Sequence, residues 1–277
     1  MRVYISADLE GVSGVVHGDQ VSATGSDYGR TRKLVTEEVN AAVAGALEGG
    51  ATEAVVNDGH GGMRNLLIED IHPSARLMTG APKLMGQMEG IDAPEGFDAA
   101  AFVGYHARAG THGVLNHTIS GAVVAKLVLD GVEVGEAGLN AAIAAHFGIP
   151  LVFVSGDAAT CREVEALNPH AVTVAVKEDA GRYAALCLPP EAARKAIREG
   201  MMRAVRAVAE GAIERPAPSG PVTFALTTKD TAMADLAGLL PGSERLSPVE
   251  LEYAAPDAPS GYRALRAMIY LASCANR

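Results

Sequence analysis

Asp8 and Glu10 close an apolar N-terminal run, Tyr4-Ile5-Ser6-Ala7, and Gly11 follows them. In an extended segment residues two apart point to the same side, so both carboxylates can reach one point in space. Two anions held together repel, and one takes up a proton unless a cation lies between them. The spacing therefore suits metal binding, and equally acids that solvate a strand end or cap a helix. Three further polar residues end or follow apolar stretches: His60 after Val55-Val56-Asn57-Asp58-Gly59, His106 after the run Ala99 to Tyr105, and Glu136 after Val134-Gly135. Asp8, Glu10, His60, His106 and Glu136 form an oxygen and nitrogen donor set without a thiolate, of the kind that zinc, manganese or cobalt accept. Five protein ligands exceed what one catalytic zinc takes, which is usually three plus a water. A shared acid resolves the count. If Asp8 bridges, Glu10 and His60 complete one ion and His106 and Glu136 the other, with the ions about 3.5–4 Å apart and a position left for water.

The elements that must position these residues alternate. A strand at the N-terminus is followed by a Gly-, Ser- and Asp-rich loop from Val12 to Gly25. Next comes a helix from about Arg30 to Leu47, in which Leu34, Val35, Val39, Ala42, Val43, Ala46 and Leu47 recur at helical spacing before Gly49-Gly50. Strands are expected at Glu53–Asn57, near Arg76–Met78 and at Ala99–Tyr105, with a helix near Leu84–Glu89. Asp130-Gly131 reads as a two-residue hairpin turn between Val123–Leu129 and Val132–Val134. A helix then opens at Glu136, an acid that would also complement the helix dipole. Leu151–Ser155, a helix through Leu167, Val172–Val176 and a long amphipathic helix from Pro189 to Ile213 follow.

Strands apolar throughout, alternating with helices, predict an α/β fold: a mostly parallel sheet with helices on both faces, whose ligand sites lie beyond the carboxyl ends of the strands. Pro216 and Pro218 mark a boundary. Residues 1–215 form the expected metal-binding catalytic unit. Residues 216–277 form a smaller C-terminal α/β unit, separate or packed into the same domain. The candidate ligands all lie in the first half, so the second half is expected to wall the cleft, make subunit contacts, or both.

The composition limits the partners. A formal net charge of −10 over 277 residues, without a Lys/Arg cluster, repels nucleic acid and anionic membrane surfaces. The chain is long enough to bury a sizeable core. Hydrophobic residues at 48% with only 4% aromatic point to a core of Ala, Val and Leu. Cys161, Cys187 and Cys274 are far apart, which excludes a Cys-x-x-Cys zinc site and argues against a disulfide framework. With Asp8 interrupting any signal-like apolar region and no run of 18 apolar residues, the expected location is cytoplasmic.

Several ordered motifs resemble the M55 family of metallopeptidases, typified by a bacterial D-aminopeptidase. They are Ser6-Ala7-Asp8-Leu9-Glu10-Gly11, Thr36-Glu37-Glu38-Val39-Asn40, Val56-Asn57-Asp58-Gly59-His60, Gly104-Tyr105-His106-Ala107-Arg108-Ala109, Asn116-His117-Thr118, Val134-Gly135-Glu136-Ala137-Gly138-Leu139-Asn140 and Val154-Ser155-Gly156-Asp157. The resemblance runs nearly the full length and is strongest before about residue 180. It implies a two-zinc aminopeptidase with metal ligands at Asp8, Glu10, His60, His106 and Glu136, and with His117 as the catalytic histidine that serves a zinc-activated water and the departing amine. It further implies short peptide substrates and a homodecamer of two stacked five-membered rings. Manganese or cobalt would suit the same donors. No residue pattern sets D- against L-specificity. Asp58, Arg108 and Asn140 are candidate substrate or supporting contacts. A two-metal phosphoesterase uses similar ligands but adds cations for phosphate, for which Arg108 is the obvious candidate. A peptide-binding or metal-binding module with a closed structural site is the non-enzymatic alternative.

Overall fold

β1 (Arg2–Ala7) sends Val3, Ile5 and Ala7 into one hydrophobic core and Tyr4 into another, so the strand is apolar on both faces because both are covered. The computed structural model describes residues 1–218 and 220–276. After β1 the chain forms α1 (Gly18–Val21), α2 (Tyr28–Glu48), β2 (Glu53–Asp58), β3 (Ala75–Met78) and β4 (Ala99–Tyr105). The hairpin β5 (Val124–Leu129) and β6 (Val132–Glu133) precedes α3 (Glu136–His146), β7 (Leu151–Asp157), α4 (Ala158–Leu167), β8 (Val172–Gly181) and β9 (Ala184–Cys187). The remainder is α5 (Pro190–Ala209), β10 (Val222–Thr228), α6 (Thr231–Ala237), β11 (Ser243–Ser247), β12 (Glu250–Ala255) and α7 (Ala258–Ala272).

Seven strands form the principal sheet in the order β3-β2-β1-β4-β7-β8-β9, parallel except where β9 returns against β8. α2 and α5 pack together over one face, around Val39, Val43, Ile197 and Met201. The other face carries Phe102, Leu139, Ile143, Tyr262 and Leu265. The fold is the mixed α/β architecture expected from the alternation. A second sheet, antiparallel, has the order β11-β12-β10-β5-β6, so the Asp130-Gly131 hairpin pairs with C-terminal strands through β10 and β5. No helix among the described residues is long and apolar enough to cross a membrane.

Some local expectations change. The segment near Leu84–Glu89 is not an α-helix but one 3-10 turn, Gly86–Met88, because Gly86 at φ +51° and Gly90 at φ +79° take left-handed conformations that interrupt it. The Val12–Gly25 loop contains α1, capped by His17 and Gln20. β8 runs on through Lys177, Glu178 and Asp179 into an unforeseen hairpin with the four-residue β9 (Ala-Ala-Leu-Cys), and β11 (Ser-Glu-Arg-Leu-Ser) is an edge strand; polar composition hid the end of β8 and β11.

β4 bends as it delivers His106. Its register with β7 shifts between Phe102 and Tyr105, and Gly104 sits at φ +75°. A Cβ at Gly104 would strike the Asp8 carbonyl oxygen and lie 3.0 Å from Val12 Cγ2. Gly104→Ala should therefore lose about 2–4 kcal/mol of stability in urea unfolding, through strain and backbone displacement. An unchanged midpoint would refute this account.

Candidate metal centre

β1 and β4 are adjacent parallel strands, and the segments leaving their carboxyl ends are tied together: Asp8 N–H donates to the Val103 carbonyl and Gly11 N–H to the Gly104 carbonyl, each at 2.8 Å. Glu10 is not extended as strand pleating would have it. β1 ends at Ala7, and Val12 N–H closes a turn onto the Leu9 carbonyl at 3.1 Å. The two carboxylates converge because of that turn, not because of the two-residue repeat.

His60 leaves β2 on a loop shaped by Asp58, whose carboxylate accepts from Asn65 N–H (2.5 Å), Leu66 N–H (2.8 Å) and Asn65 Nδ2 (2.6 Å). His106 follows β4, and Glu136 is the first residue of α3. His117 lies on the loop between β4 and β5, where its N–H donates to the Ala107 carbonyl. Asp8, Glu10, His106 and Glu136 are buried to 4% exposure or less. The donor atoms fall into two groups able to hold a metal ion, Asp8 with Glu10 and His60, and His106 with His117 and Glu136. Asp8 faces both: Oδ1 is 3.2 Å from His60 Nδ1, and Oδ2 is 3.5 Å from His106 Nε2. Glu136 Oε1 lies 3.4 Å from His106 Nε2 and 3.8 Å from His117 Nε2.

Each imidazole commits one nitrogen to a backbone carbonyl and turns the other inward. His60 Nε2 donates to Val21 at the end of α1 (2.8 Å), His106 Nδ1 to Ala107 (2.9 Å) and His117 Nδ1 to Leu115 (2.9 Å). Such bonds set the tautomer and direct the remaining lone pair, as in metal-ligating histidines. Asp8 Oδ2, Glu10 Oε2 and His106 Nε2 are buried without a hydrogen-bond partner; Glu10 Oε2 approaches His60 Nδ1 to 2.9 Å without hydrogen-bond alignment. Buried polar atoms left in this way imply an occupant.

The charges agree. Burial, and then the charge of Glu10, push the Asp8 carboxyl up to about 7. Burial opposes charge on His60 and His106, yet the neighbouring carboxylates prevail and hold both well above the usual imidazole range. A cluster that draws protons so strongly has the field a cation would satisfy. The donor set, buried and without thiolates, fits zinc. His117, stacked on His106 with centroids 4.2 Å apart, is shifted the other way: burial and His106 lower it.

The cluster forms one end of a cavity of about 360 Å³. Its other walls come from residues the motifs did not indicate, including Gln87 and, on α7, Tyr262, Arg266 and Tyr270. Gln87 Nε2 donates to Glu136 Oε2, and its Oε1 accepts from Asn140, which also donates to the Tyr105 hydroxyl at 2.9 Å. Asn140 and Asp58 thus support the site from within the protein. Arg108 is engaged by Glu133 at 2.6 Å and lies near Glu163, and it does not line the cavity. Isolated glutamines and a C-terminal helix carry no local signal of such a role.

A buried, carboxylate-rich cluster at the carboxyl ends of a parallel sheet is a candidate metal site of the kind hydrolases use, and the comparison of the whole chain gives its class: the M55 peptidase model, described as D-aminopeptidase, matches residues 1–267, and the chain belongs to that family. It is 35% identical over 273 residues to the D-aminopeptidase of Bacillus subtilis (strain 168), covering 98% of each protein. Its structure matches that of the Zn-dependent D-aminopeptidase DppA from Bacillus subtilis, described as a self-compartmentalizing protease, with a TM-score of 0.92 at 33% identity over 99% of this chain and 98% of the other.

Behind the cluster, Lys177 Nζ donates to the carbonyls of Glu10, Val12 and Val15, holding the turn that carries Glu10. Nearby Glu38, buried on α2, accepts from Ser13 N–H at 3.0 Å, and burial pushes its carboxyl up to about 7 from an ordinary 4.5. The folded protein therefore holds a proton there that the unfolded chain releases between those values, so stability falls as pH rises through this window. Glu38→Gln keeps the acceptor and removes the titration. The stability of Glu38→Gln relative to the parent should rise by about 1–3 kcal/mol between pH 5 and pH 8, read from denaturant unfolding at both. A difference independent of pH would contradict the assignment.

Proposed function

We propose that the protein is a zinc-dependent aminopeptidase that releases the N-terminal residue, preferentially a D-residue, from short peptides. The observation that carries this reading is the pair of donor groups facing the two oxygens of Asp8, with unpartnered buried atoms between them. Asp8, Glu10 and His60 would hold one ion, and Asp8, His106 and Glu136 a second. The zinc dependence and D-preference are supported by the relatives' descriptions. Zinc bound there would polarise a peptide carbonyl and bring the pKa of water toward neutrality.

The chain's own residues supply the rest. His117 has Nδ1 committed to Leu115 and a lowered pKa, which leaves Nε2 as a neutral acceptor. It takes the proton of the attacking water and delivers it to the departing amine. Ile119 N–H, at 2.6 Å from Glu136 Oε1, and Gln87 keep Glu136 oriented. The acidic field of Asp8, Glu10 and Glu136 favours a free substrate ammonium over a mid-chain amide, which makes the enzyme an exopeptidase. Assembly into stacked pentameric rings in the cytoplasm completes the proposal. It is supported by the self-compartmentalizing relative and by exposed Leu84 (76%), Leu186 (74%) and Leu239 (66%).

Chelator-stripped protein reloaded with zinc, manganese or cobalt should release N-terminal residues from D-aminoacyl p-nitroanilides faster than from the L-series. Failure to cleave any peptide or anilide, with p-nitrophenyl phosphate hydrolysed instead, would replace this reading by a phosphoesterase. Asp8→Asn should reduce zinc at both positions in elemental analysis. His117→Gln should keep zinc while kcat falls about 10²- to 10⁴-fold; loss of zinc would make His117 a ligand instead.

A further inference from the structure

Among the described residues, Arg266 is the only Lys or Arg on the wall of the cavity that ends in the acidic cluster. It is half-buried on α7 and held firmly. Nη1 donates to the carbonyls of Lys83 and Leu84, Nη2 donates to the Tyr270 hydroxyl at 2.6 Å, and the guanidinium carbon lies 5.8 Å and 5.4 Å from the ring centroids of Tyr262 and Tyr270. These bonds use three of its five N–H groups. Among the described residues, Nε–H and the second Nη2–H find no protein acceptor, and no Asp or Glu forms an ion pair with the side chain.

A preorganised guanidinium without a counter-anion is a receptor for a carboxylate, which it can take in a charge-assisted pair of hydrogen bonds. The cavity therefore has opposite charges at two walls: carboxylates at the cluster and a cation on α7. A short peptide has the same polarity, with an ammonium at one end and a carboxylate at the other. Resting on the aminopeptidase reading above, we propose that Arg266 binds the free C-terminal carboxylate of the substrate and so selects peptides only a few residues long. A volume of about 360 Å³ is at the small end of ligand cavities, as such substrates require. The hydrogen bonds to Lys83, Leu84 and Tyr270 and the neighbouring rings of Tyr262 and Tyr270 limit the mobility of the guanidinium, so less side-chain freedom is lost when the carboxylate arrives.

The test compares, on zinc-loaded enzyme, an alanyl dipeptide with a D-residue at its N-terminus and the same dipeptide as its C-terminal amide. The amide should show a KM about 10- to 100-fold higher, with kcat much less affected. In Arg266→Gln the ratio of the two KM values should collapse to about one, and Arg266→Lys should restore part of it. A purely structural arginine would leave the ratio intact in all three proteins. Equal KM values in the parent enzyme, or a ratio that survives in Arg266→Gln, would overturn the assignment while the aminopeptidase reading stood. Cleavage of neither dipeptide nor of D-aminoacyl p-nitroanilide would overturn that parent reading itself.

Discussion

Gathering three carboxylates in a space from which water is nearly excluded is the constraint on which the rest of this structure depends. Burial, and then the charge of Glu10, push the Asp8 carboxyl up, whereas the neighbouring histidines hold Glu10 and Glu136 below the usual carboxylate range against their burial. The fold answers with imidazoles whose outer nitrogens are fixed by carbonyls of Val21, Ala107 and Leu115. Because those carbonyls belong to backbone, side-chain motion cannot relax the geometry. The inward nitrogens and carboxylate oxygens are thereby directed at one another across a small buried space.

Holding the backbone in that arrangement uses most of the unusual features nearby. Gly11, Gly104 and Gly156 allow the main chain to approach within distances a Cβ would forbid. Lys177 gathers three carbonyls of the turn bearing Glu10, a task that a neutral residue cannot perform with one group. Gln87, Asn140, Tyr105 and Ser6 link Glu136 to β1 and β4 through a buried hydrogen-bonded chain. These residues act by limiting where the donors point.

Charge also organises the cavity at a larger scale. The cluster lies at the carboxyl ends of β1, β2 and β4 and the start of α3, whereas Arg266 is carried by α7, near the end of the chain. Only the packing of α7 against α3 and the second sheet brings the two together. Tyr262, Arg266, Ile269 and Tyr270 of α7 thus line the cavity. The 3-10 turn at Gly86–Met88 lies between the cluster and α7, placing Gln87 against Glu136 and the Lys83–Leu84 carbonyls against Arg266.

The amino-acid sequence determined the parallel sheet and the identity of the acids and histidines that meet at its end. Apolar runs and helical periodicity are local properties, and a carboxylate at the close of a strand is visible wherever the strand goes. β11 (Ser-Glu-Arg-Leu-Ser) has no apolar alternation to mark it, β9 (Ala-Ala-Leu-Cys) is only four residues long and too short to show a period, and the Leu84–Glu89 segment has a helical composition that Gly86 and Gly90 interrupt. Tertiary structure alone decided that Glu10 reaches Asp8 through a turn, that Arg108 is occupied by Glu133, that His117 stacks on His106, and that Gln87 and Arg266 face the cluster. The placement of Gln87 and Arg266 depends on contacts between segments far apart in the chain, and the Glu10 turn, the His117 stacking and the Arg108 pairing depend on loop conformations; neither is encoded by spacing along the sequence.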